Sequence, residues 1–140
     1  MRKETYTMVI VAVLSLNLMS CSNDNDDGNV DEKLNGTYAG TFTVAYANGD
    51  TFSNPVTVNF SGDSNYESSA NGDRLPAGGS GTYEMGSSKI DFSDTNIWTA
   101  DFDWNLILNG EYDLLANGNE LIISVTKNNV GSYRYELTKE

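Results

Sequence analysis

The side chains that could do chemistry in this chain are few, and they exclude most catalytic mechanisms. The sequence contains no histidine, which removes the commonest general base and zinc ligand, together with Ser-His and Cys-His nucleophile pairs. Cys21 is the only cysteine, so no disulfide can form within the chain. The catalytic groups that remain are carboxylates.

The best-spaced carboxylates are those of Asp101 and Asp103, with Asp91 on a neighbouring predicted strand. On a strand, residues i and i+2 lie about 6.5–7 Å apart on one face, within the range of the carboxylate pair of an inverting glycosidase. These side chains face away from the predicted core, however, and lack the enclosing pocket that acid catalysis requires. We expect solubilising charge on an outer wall, and therefore no enzyme, no cofactor and no metal site.

The N-terminus has the parts of a secretory signal. Arg2 and Lys3 supply positive charge that holds this end on the cytoplasmic side. Residues 8–16 are mostly apolar, too short a run to span roughly 30 Å of hydrocarbon but of the length of a signal h-region. Leu-Met-Ser-Cys at 18–21 resembles the lipobox of bacterial lipoproteins, which implies cleavage before Cys21 and lipid attachment to its thiol. An ordinary secretory signal with an incidental cysteine is the alternative.

The segment after Cys21 is polar and acidic. Val30 is the only apolar residue in 22–33, so little offsets the entropy of ordering and a disordered tether is predicted. An acidic patch after a lipidated cysteine resembles the surface-export signal of Bacteroidetes lipoproteins. That resemblance implies a lipid-anchored protein of the outer membrane that faces outward; a generic solvated linker is the alternative. The predicted boundaries are 1–20 signal peptide, 21–33 tether and 34–140 folded domain.

The net charge is −12, and this limits the partners. An acidic body repels nucleic-acid phosphates, so no nucleic acid partner is expected. It also disfavours electrostatic binding to an anionic membrane face. The membrane partnership therefore depends on the lipid on Cys21.

From residue 34 onward, apolar residues alternate with polar ones. Asn-Gly pairs at 48–49 and 109–110 predict tight hairpin turns, and no window keeps a period of 3.6 residues, so no substantial helix is expected. A meander leaves two exposed edges unless it closes. The predicted fold is all-β: a single antiparallel meander of eight to nine strands closed into a barrel. The predicted strands are 36–47, 51–60, 66–70, 82–85, 89–93, 97–108, 111–116, 120–126 and 132–139.

Two stretches carry specific expectations. Residues 97–108 have an unbroken apolar row at even positions, which predicts one long strand with Trp104 inside. Truncation of Trp104 to alanine would then cost roughly 3–5 kcal/mol. Residues 71–81 are rich in glycine and predict an exposed loop, either a recognition loop or a mobile connector.

The start and end of the domain resemble lipocalin-like lipoproteins of Bacteroidetes. The resemblance is carried by Leu-Asn-Gly-Thr-Tyr-Ala-Gly-Thr-Phe at 34–42 and by the strand-turn patterns of 108–113 and 133–139. It covers most of 34–140 and implies a lipocalin-like barrel.

Many aromatic residues fall on the inward parity, and two interpretations stay open. A barrel of about eight strands is just wide enough to be filled by side chains or to hold one small ligand. A filled barrel favours a protein-interaction or inhibitor module with an unknown partner. A cavity favours binding of a small apolar ligand or of a glycan that stacks on the rings at the barrel mouth. The candidate ligand-lining residues are Tyr38, Phe42, Trp98, Phe102, Trp104, Tyr112, Tyr133 and Tyr135.

Overall fold

The computed structural model describes residues 33–99 and 101–140, so Cys21, the predicted signal peptide and all but the last residue of the predicted tether lie outside the described residues. Each strand pairs with its sequence neighbours, and β1 also pairs with β8, which closes an antiparallel barrel. The predicted all-β meander is confirmed, with eight strands. The strands are β1 (Gly36–Tyr46), β2 (Thr51–Ser61), β3 (Asn65–Ser68), β4 (Gly79–Met85), β5 (Lys89–Asp94), β6 (Gly110–Asn117), β7 (Glu120–Lys127) and β8 (Gly131–Lys139).

The alternation predicted for β1 and β8 is confirmed by burial and register. Phe42 lies opposite Tyr135, and Val44 lies opposite Tyr133; all four side chains are fully buried. Residues directly opposite each other on paired strands share a face. The inward rows of β1 and β8 therefore meet inside the barrel, where their rings pack.

A turn joins β1 and β2 where the Asn-Gly pair at 48–49 predicts one, but it spans the four residues 47–50 instead of two. Asn48 Oδ1 accepts a hydrogen bond from the Asp50 amide at 2.9 Å, and Gly49 has a φ of +97°, a conformation that favours glycine. Phe52 keeps its register opposite Val44. It is nevertheless 44% exposed, because it lies at the rim of the barrel.

The predicted long strand over 97–108 is wrong. β5 ends at Asp94 and β6 begins at Gly110, and the connection contains a short 3₁₀ helix, Trp104–Leu106. The physical reason is local: Asp103 accepts a hydrogen bond from the Asn105 amide at 3.0 Å, and such side-chain bonds compete with a strand ladder. Trp104, predicted to face the core, is 58% exposed.

The predicted exposed loop over 71–81 is only partly present. Asn71 Oδ1 accepts from the Leu75 amide at 2.8 Å, and this bond shapes a turn. Residues 76–79 are buried, and β4 begins at Gly79 instead of residue 82. The reason is a second connection packed against this one: the Leu108 amide donates to the Gly78 carbonyl at 2.8 Å.

Side chains fill the middle of the barrel. Phe42 and Tyr135 pack with ring centroids 4.8 Å apart, and Tyr112 packs against Tyr135 at 6.3 Å. Such tilted and edge-on contacts are favourable for aromatic rings. The core therefore follows the filled-barrel interpretation in its middle layers.

Within 33–99 and 101–140, no helix has the length and apolar character needed to cross a membrane.

Candidate functional site

The barrel has two ends that differ in construction. At one, which we name the cap end, the described residues of the β5–β6 connection, 95–99 and 101–109, lie across the barrel; we call these residues the cap segment. At the other, the tether end, the described chain enters at Lys33 and leaves through Lys139. A ligand site at one end would therefore be built by different residues from a site at the other.

The cap segment closes its end with apolar side chains. Three consecutive residues, Leu106, Ile107 and Leu108, are at most 4% exposed. Because side chains alternate between the two faces of a strand, a strand with one buried face cannot bury three residues in a row. Buried tyrosines bind its carbonyl groups from below: the Tyr66 hydroxyl donates to the Leu108 carbonyl at 2.6 Å, and the Tyr112 hydroxyl donates to the Ile107 carbonyl at 3.4 Å. The cap segment is thus fixed to the core.

Asp94 anchors the start of the cap segment. Its Oδ2 accepts from Trp98 Nε1 at 2.5 Å, and its Oδ1 accepts from the Ser80 amide at 2.8 Å and from Asn96 Nδ2 at 2.8 Å. The Asp94 amide donates to Asn109 Oδ1 at 2.9 Å. The Asp94 carboxylate therefore joins the start of the segment to β4, and the Asp94 amide holds the end of the segment at Asn109.

Asp103 anchors the middle of the same segment. Its Oδ2 accepts from the Tyr133 hydroxyl at 2.5 Å, and its Oδ1 accepts from Asn105 Nδ2 at 2.8 Å. Burial first, and then the Asp103 carboxylate, raise the pKa of Tyr133 and of Tyr46. Both hydroxyls stay protonated at neutral pH, so Tyr133 is a donor to this carboxylate.

The carboxylate arrangement considered from the sequence is not assembled. Asp101 is exposed on the cap segment, Asp103 is engaged with Tyr133, and Asp91 lies on β5 opposite Glu84 and Glu111. The expected spacing between Asp101 and Asp103 required a strand that does not form. Among the described residues, no group of three or more His, Cys, Asp or Glu side chains is placed to hold a metal ion.

The candidate ligand-lining residues are separated among three places. Phe42, Tyr112, Tyr133 and Tyr135 belong to the filled core. Trp98 and Phe102 lie partly buried on the cap segment, with ring centroids 5.9 Å apart, and Trp104 is exposed there. Tyr38 lies at the tether end.

One buried hydroxyl has no partner. Tyr135 is fully buried, and its hydroxyl makes no hydrogen bond to any residue in the described part of the chain. Burial raises the pKa of this phenol, and the neighbouring Tyr112 and Tyr66 raise it further. The hydroxyl therefore remains a buried neutral group, surrounded by rings.

The tether end contains a groove with a volume of about 480 Å³. This lies within the range of about 300–1,000 Å³ that is usual for small-molecule sites. Of the candidate residues, only Tyr38 lines it. Its apolar lining is completed by Leu34, Met85, Leu114, Leu115 and Ala116.

Distant segments meet to form this groove. The Tyr83 hydroxyl donates to the Leu34 carbonyl at 3.1 Å, which fixes the entering chain. The Lys139 amide donates to the Asn119 carbonyl at 2.8 Å, and the Glu140 amide donates to the Thr37 carbonyl at 2.9 Å. The groove is therefore framed by the backbone of the chain's last strand.

The expectations from the sequence do not include this groove, although one signal for it is present in β6. Leu114, Leu115 and Ala116 form an apolar run that breaks the alternation of β6. Leu114 is 8% exposed and Leu115 is 63% exposed, so the run presents apolar surface both inward and outward at the barrel end. A break in alternation near a turn is the pattern that could have indicated the site.

Two lysines, three polar residues and two glycines complete the lining. The residues are Lys33, Asn35, Gly86, Ser87, Gly118, Asn119 and Lys139, and the described lining includes no aspartate or glutamate.

Comparison with known proteins gives no match: no family model, no curated protein and no solved structure matches this chain.

Proposed function

We propose that this chain is a non-enzymatic binding protein, anchored in the outer membrane by lipid on Cys21, whose barrel holds a small ligand in the groove at its tether end. The observation that carries the binding proposal is the groove itself. It is about 480 Å³ in volume, and its lining combines apolar side chains with a few polar groups, as ligand sites commonly do. The ligand classes that suit such a lining are small apolar molecules and glycans.

In this proposal the ligand lies at the tether end, whereas the expectation from the sequence was a ligand at the barrel mouth. The cap segment occupies that mouth with Leu106, Ile107 and Leu108. The carboxylates Asp94 and Asp103 are engaged in holding it there. These carboxylates have a structural role in place of a catalytic one, which supports a protein without enzymatic activity.

The anchoring part rests on the sequence 18–21, which resembles a lipobox, and on the acidic tether that follows. Several acyl chains on one cysteine give durable attachment, because each buried methylene contributes about 0.8 kcal/mol. Outer-membrane location, with the barrel facing outward, follows from the resemblance to Bacteroidetes surface lipoproteins. Labelling of growing cells with an alkyne fatty acid tests the anchor: label enters the wild-type chain and is absent from Cys21→Ser, which no longer sediments with membranes. Equal sedimentation of both chains would contradict it.

Native mass spectrometry of the full chain, purified from its own cells, tests the binding part. We expect a population with the mass of the protein plus one small molecule. A spectrum with only the lipidated chain would contradict the proposal.

A protein-interaction or inhibitor module is the second candidate, and one observation favours it. Ile97 is 91% exposed and Trp104 is 58% exposed, and both lie on the cap segment. Exposed apolar side chains of this size are common at protein interfaces. Under this function, Ile97→Glu would abolish capture of a partner, whereas substitutions at the groove would not.

A further inference from the structure

The groove differs in charge from the rest of the molecule. The chain carries 20 acidic and 8 basic residues. Nevertheless, the charged residues that line the groove are Lys33 and Lys139, with no acidic side chain in its described lining. A groove lined by two lysines and by no carboxylate of a described residue is attractive to an anion.

Lys139 occupies an unusual position for a charge. It lies opposite Tyr38 in the pairing of β1 with β8, and opposite residues share a face of the sheet. It therefore shares the parity of Tyr133, Tyr135 and Leu137, although Lys139 itself is exposed, at the rim of the barrel. Its side chain lies over Gly36, where an added Cβ would be 3.2 Å from Lys139 Cε.

The ion pairs of the described chain leave Lys139 available. Lys89 pairs with Asp113 at 2.6 Å and Arg134 pairs with Glu136 at 2.9 Å. Lys33 pairs with Asp63 at 3.7 Å, although both side chains are more than half exposed. No carboxylate of a described residue forms an ion pair with Lys139, so its ammonium can pair with an incoming anion.

The surface next to this charge is apolar. Tyr38 is 6% exposed and packs edge-on against Phe60, with ring centroids 5.5 Å apart, so its position is fixed. Leu114 and Leu115 line the groove beside it. A ligand that satisfies both features needs an apolar chain and an acidic head.

We infer that the groove binds a single-chain anionic amphiphile, a carboxylate or phosphate ester on one acyl chain. Lys139 pairs with the acidic head, and Leu114, Leu115 and Tyr38 contact the chain. This inference rests on the proposed function and names its ligand class. A single chain is favoured over a two-chain lipid because about 480 Å³ lies in the lower half of the usual range of small-molecule sites.

The test uses the full chain carrying Cys21→Ser, so that the protein's own lipid does not compete. Three probes of equal chain length are titrated by calorimetry below their aggregation limits: dodecanoate, dodecanol and dodecyltrimethylammonium. We expect dodecanoate to bind at least ten-fold more tightly than dodecanol, dodecyltrimethylammonium not to bind, and the dodecanoate affinity to fall as salt is added.

Variants separate the head from the chain. Lys139→Gln is expected to weaken dodecanoate binding about ten-fold and to leave the affinity for dodecanol unchanged. Lys127→Gln is the control: Lys127 lies on β7, which pairs with β8, at the end away from the groove. This substitution is expected to change neither affinity. Leu115→Glu is expected to abolish binding of both. Leu115 is 63% exposed, so this substitution leaves the fold intact.

The outcomes distinguish the inference from the proposed function. Equal affinity for dodecanoate and dodecanol, with no effect of Lys139→Gln, would overturn the anionic ligand while leaving the groove as a binding site. Binding to anionic phosphatidylglycerol vesicles without binding to dodecanoate would overturn the single-chain ligand in favour of a membrane surface. If no probe binds, the inference that the ligand is an amphiphile is overturned. The proposed function is then decided separately, by whether native mass spectrometry of the full chain finds a bound small molecule.

Discussion

The Tyr133 hydroxyl donates to Asp103 Oδ2 at 2.5 Å, and this contact joins two residues that are 30 positions apart. Tyr133 lies on β8, and Asp103 lies at the start of the 3₁₀ helix in the cap segment. Hydrogen bonds to a charged acceptor are about twice as strong as neutral ones. The bond therefore fixes the irregular connection to the barrel wall.

Tyr133→Phe should destabilise the protein by about 1.5–3 kcal/mol, because it removes a charge-assisted bond and takes the Tyr133 donor away from Asp103 Oδ2. The measurement is the free energy of unfolding from urea denaturation.

Tyr135→Phe is the matched control, two residues along the same inward row. Both side chains are fully buried, but the Tyr135 hydroxyl makes no hydrogen bond to a described residue. Its removal should leave stability unchanged or raise it by up to about 1 kcal/mol. Equal losses for the two variants would contradict this assignment.

Stability should fall at alkaline pH. Burial raises the pKa of Tyr66, Tyr112, Tyr133 and Tyr135 above the ordinary value of 10.0. A raised pKa in the folded state means that the native protein holds protons which the unfolded chain releases. The contribution of these protonated tyrosines to the free energy of unfolding is complete below about pH 10. It is lost as the pH rises further, at about 1.4 kcal/mol per pH unit for each tyrosine. The free energy of unfolding from urea denaturation should be constant from about pH 7 to 9 and fall steeply above about pH 10. A free energy that stays constant up to about pH 11 would contradict this prediction.

Gly40→Ala should cost about 2–3 kcal/mol or more. A Cβ at Gly40 would lie 1.8 Å from the Glu136 carbonyl oxygen, and this is backbone that cannot move without disturbing the closure of β1 on β8. Gly72→Ala is the control, since a Cβ there meets nothing within 4 Å, and its effect should stay within about 0.5 kcal/mol. Thermal unfolding of both variants provides the check. A small loss for Gly40→Ala would mean that the two strands do not approach so closely.

Trp104→Ala should cost less than about 1 kcal/mol, in contrast to the core position expected from the sequence. The side chain is 58% exposed, and exposed positions tolerate truncation. Leu108, from the same predicted row, is fully buried, and Leu108→Ala should cost about 2–5 kcal/mol. If Trp104→Ala proved as costly as Leu108→Ala in urea denaturation, the cap segment would have to pack differently.

Much of the barrel could be predicted from the sequence because strand periodicity is a local property. Phe42 and Val44 alternate with threonines, and Asn48-Gly49 fixes the turn. Those signals need no knowledge of the neighbouring strands. The stretch 97–108 failed for the same reason: its apolar row matched the period of a strand. Two kinds of bond override this pattern. Asp94 and Asp103 accept local hydrogen bonds from Asn96, Trp98 and Asn105, and Asp103 also accepts one from Tyr133, which forms only when the segment lies across the barrel.

Apart from the apolar run 114–116, the groove could not be predicted, because its parts are distant in sequence. Leu34, Met85, Leu115 and Lys139 come together only when β1 closes on β8. Nothing in the local pattern around Lys139 places it beside the groove. Its position at the rim follows from the register opposite Tyr38.

The most direct test of the binding account compares Leu115→Glu with Ile97→Glu by native mass spectrometry of full chains purified from their own cells. Both positions are exposed apolar residues, at 63% and 91%, but only Leu115 lines the groove. We predict that Ile97→Glu keeps the small-molecule adduct of the wild-type chain and that Leu115→Glu loses it. An adduct retained in Leu115→Glu, or absent from all chains, would contradict a ligand site at the tether end.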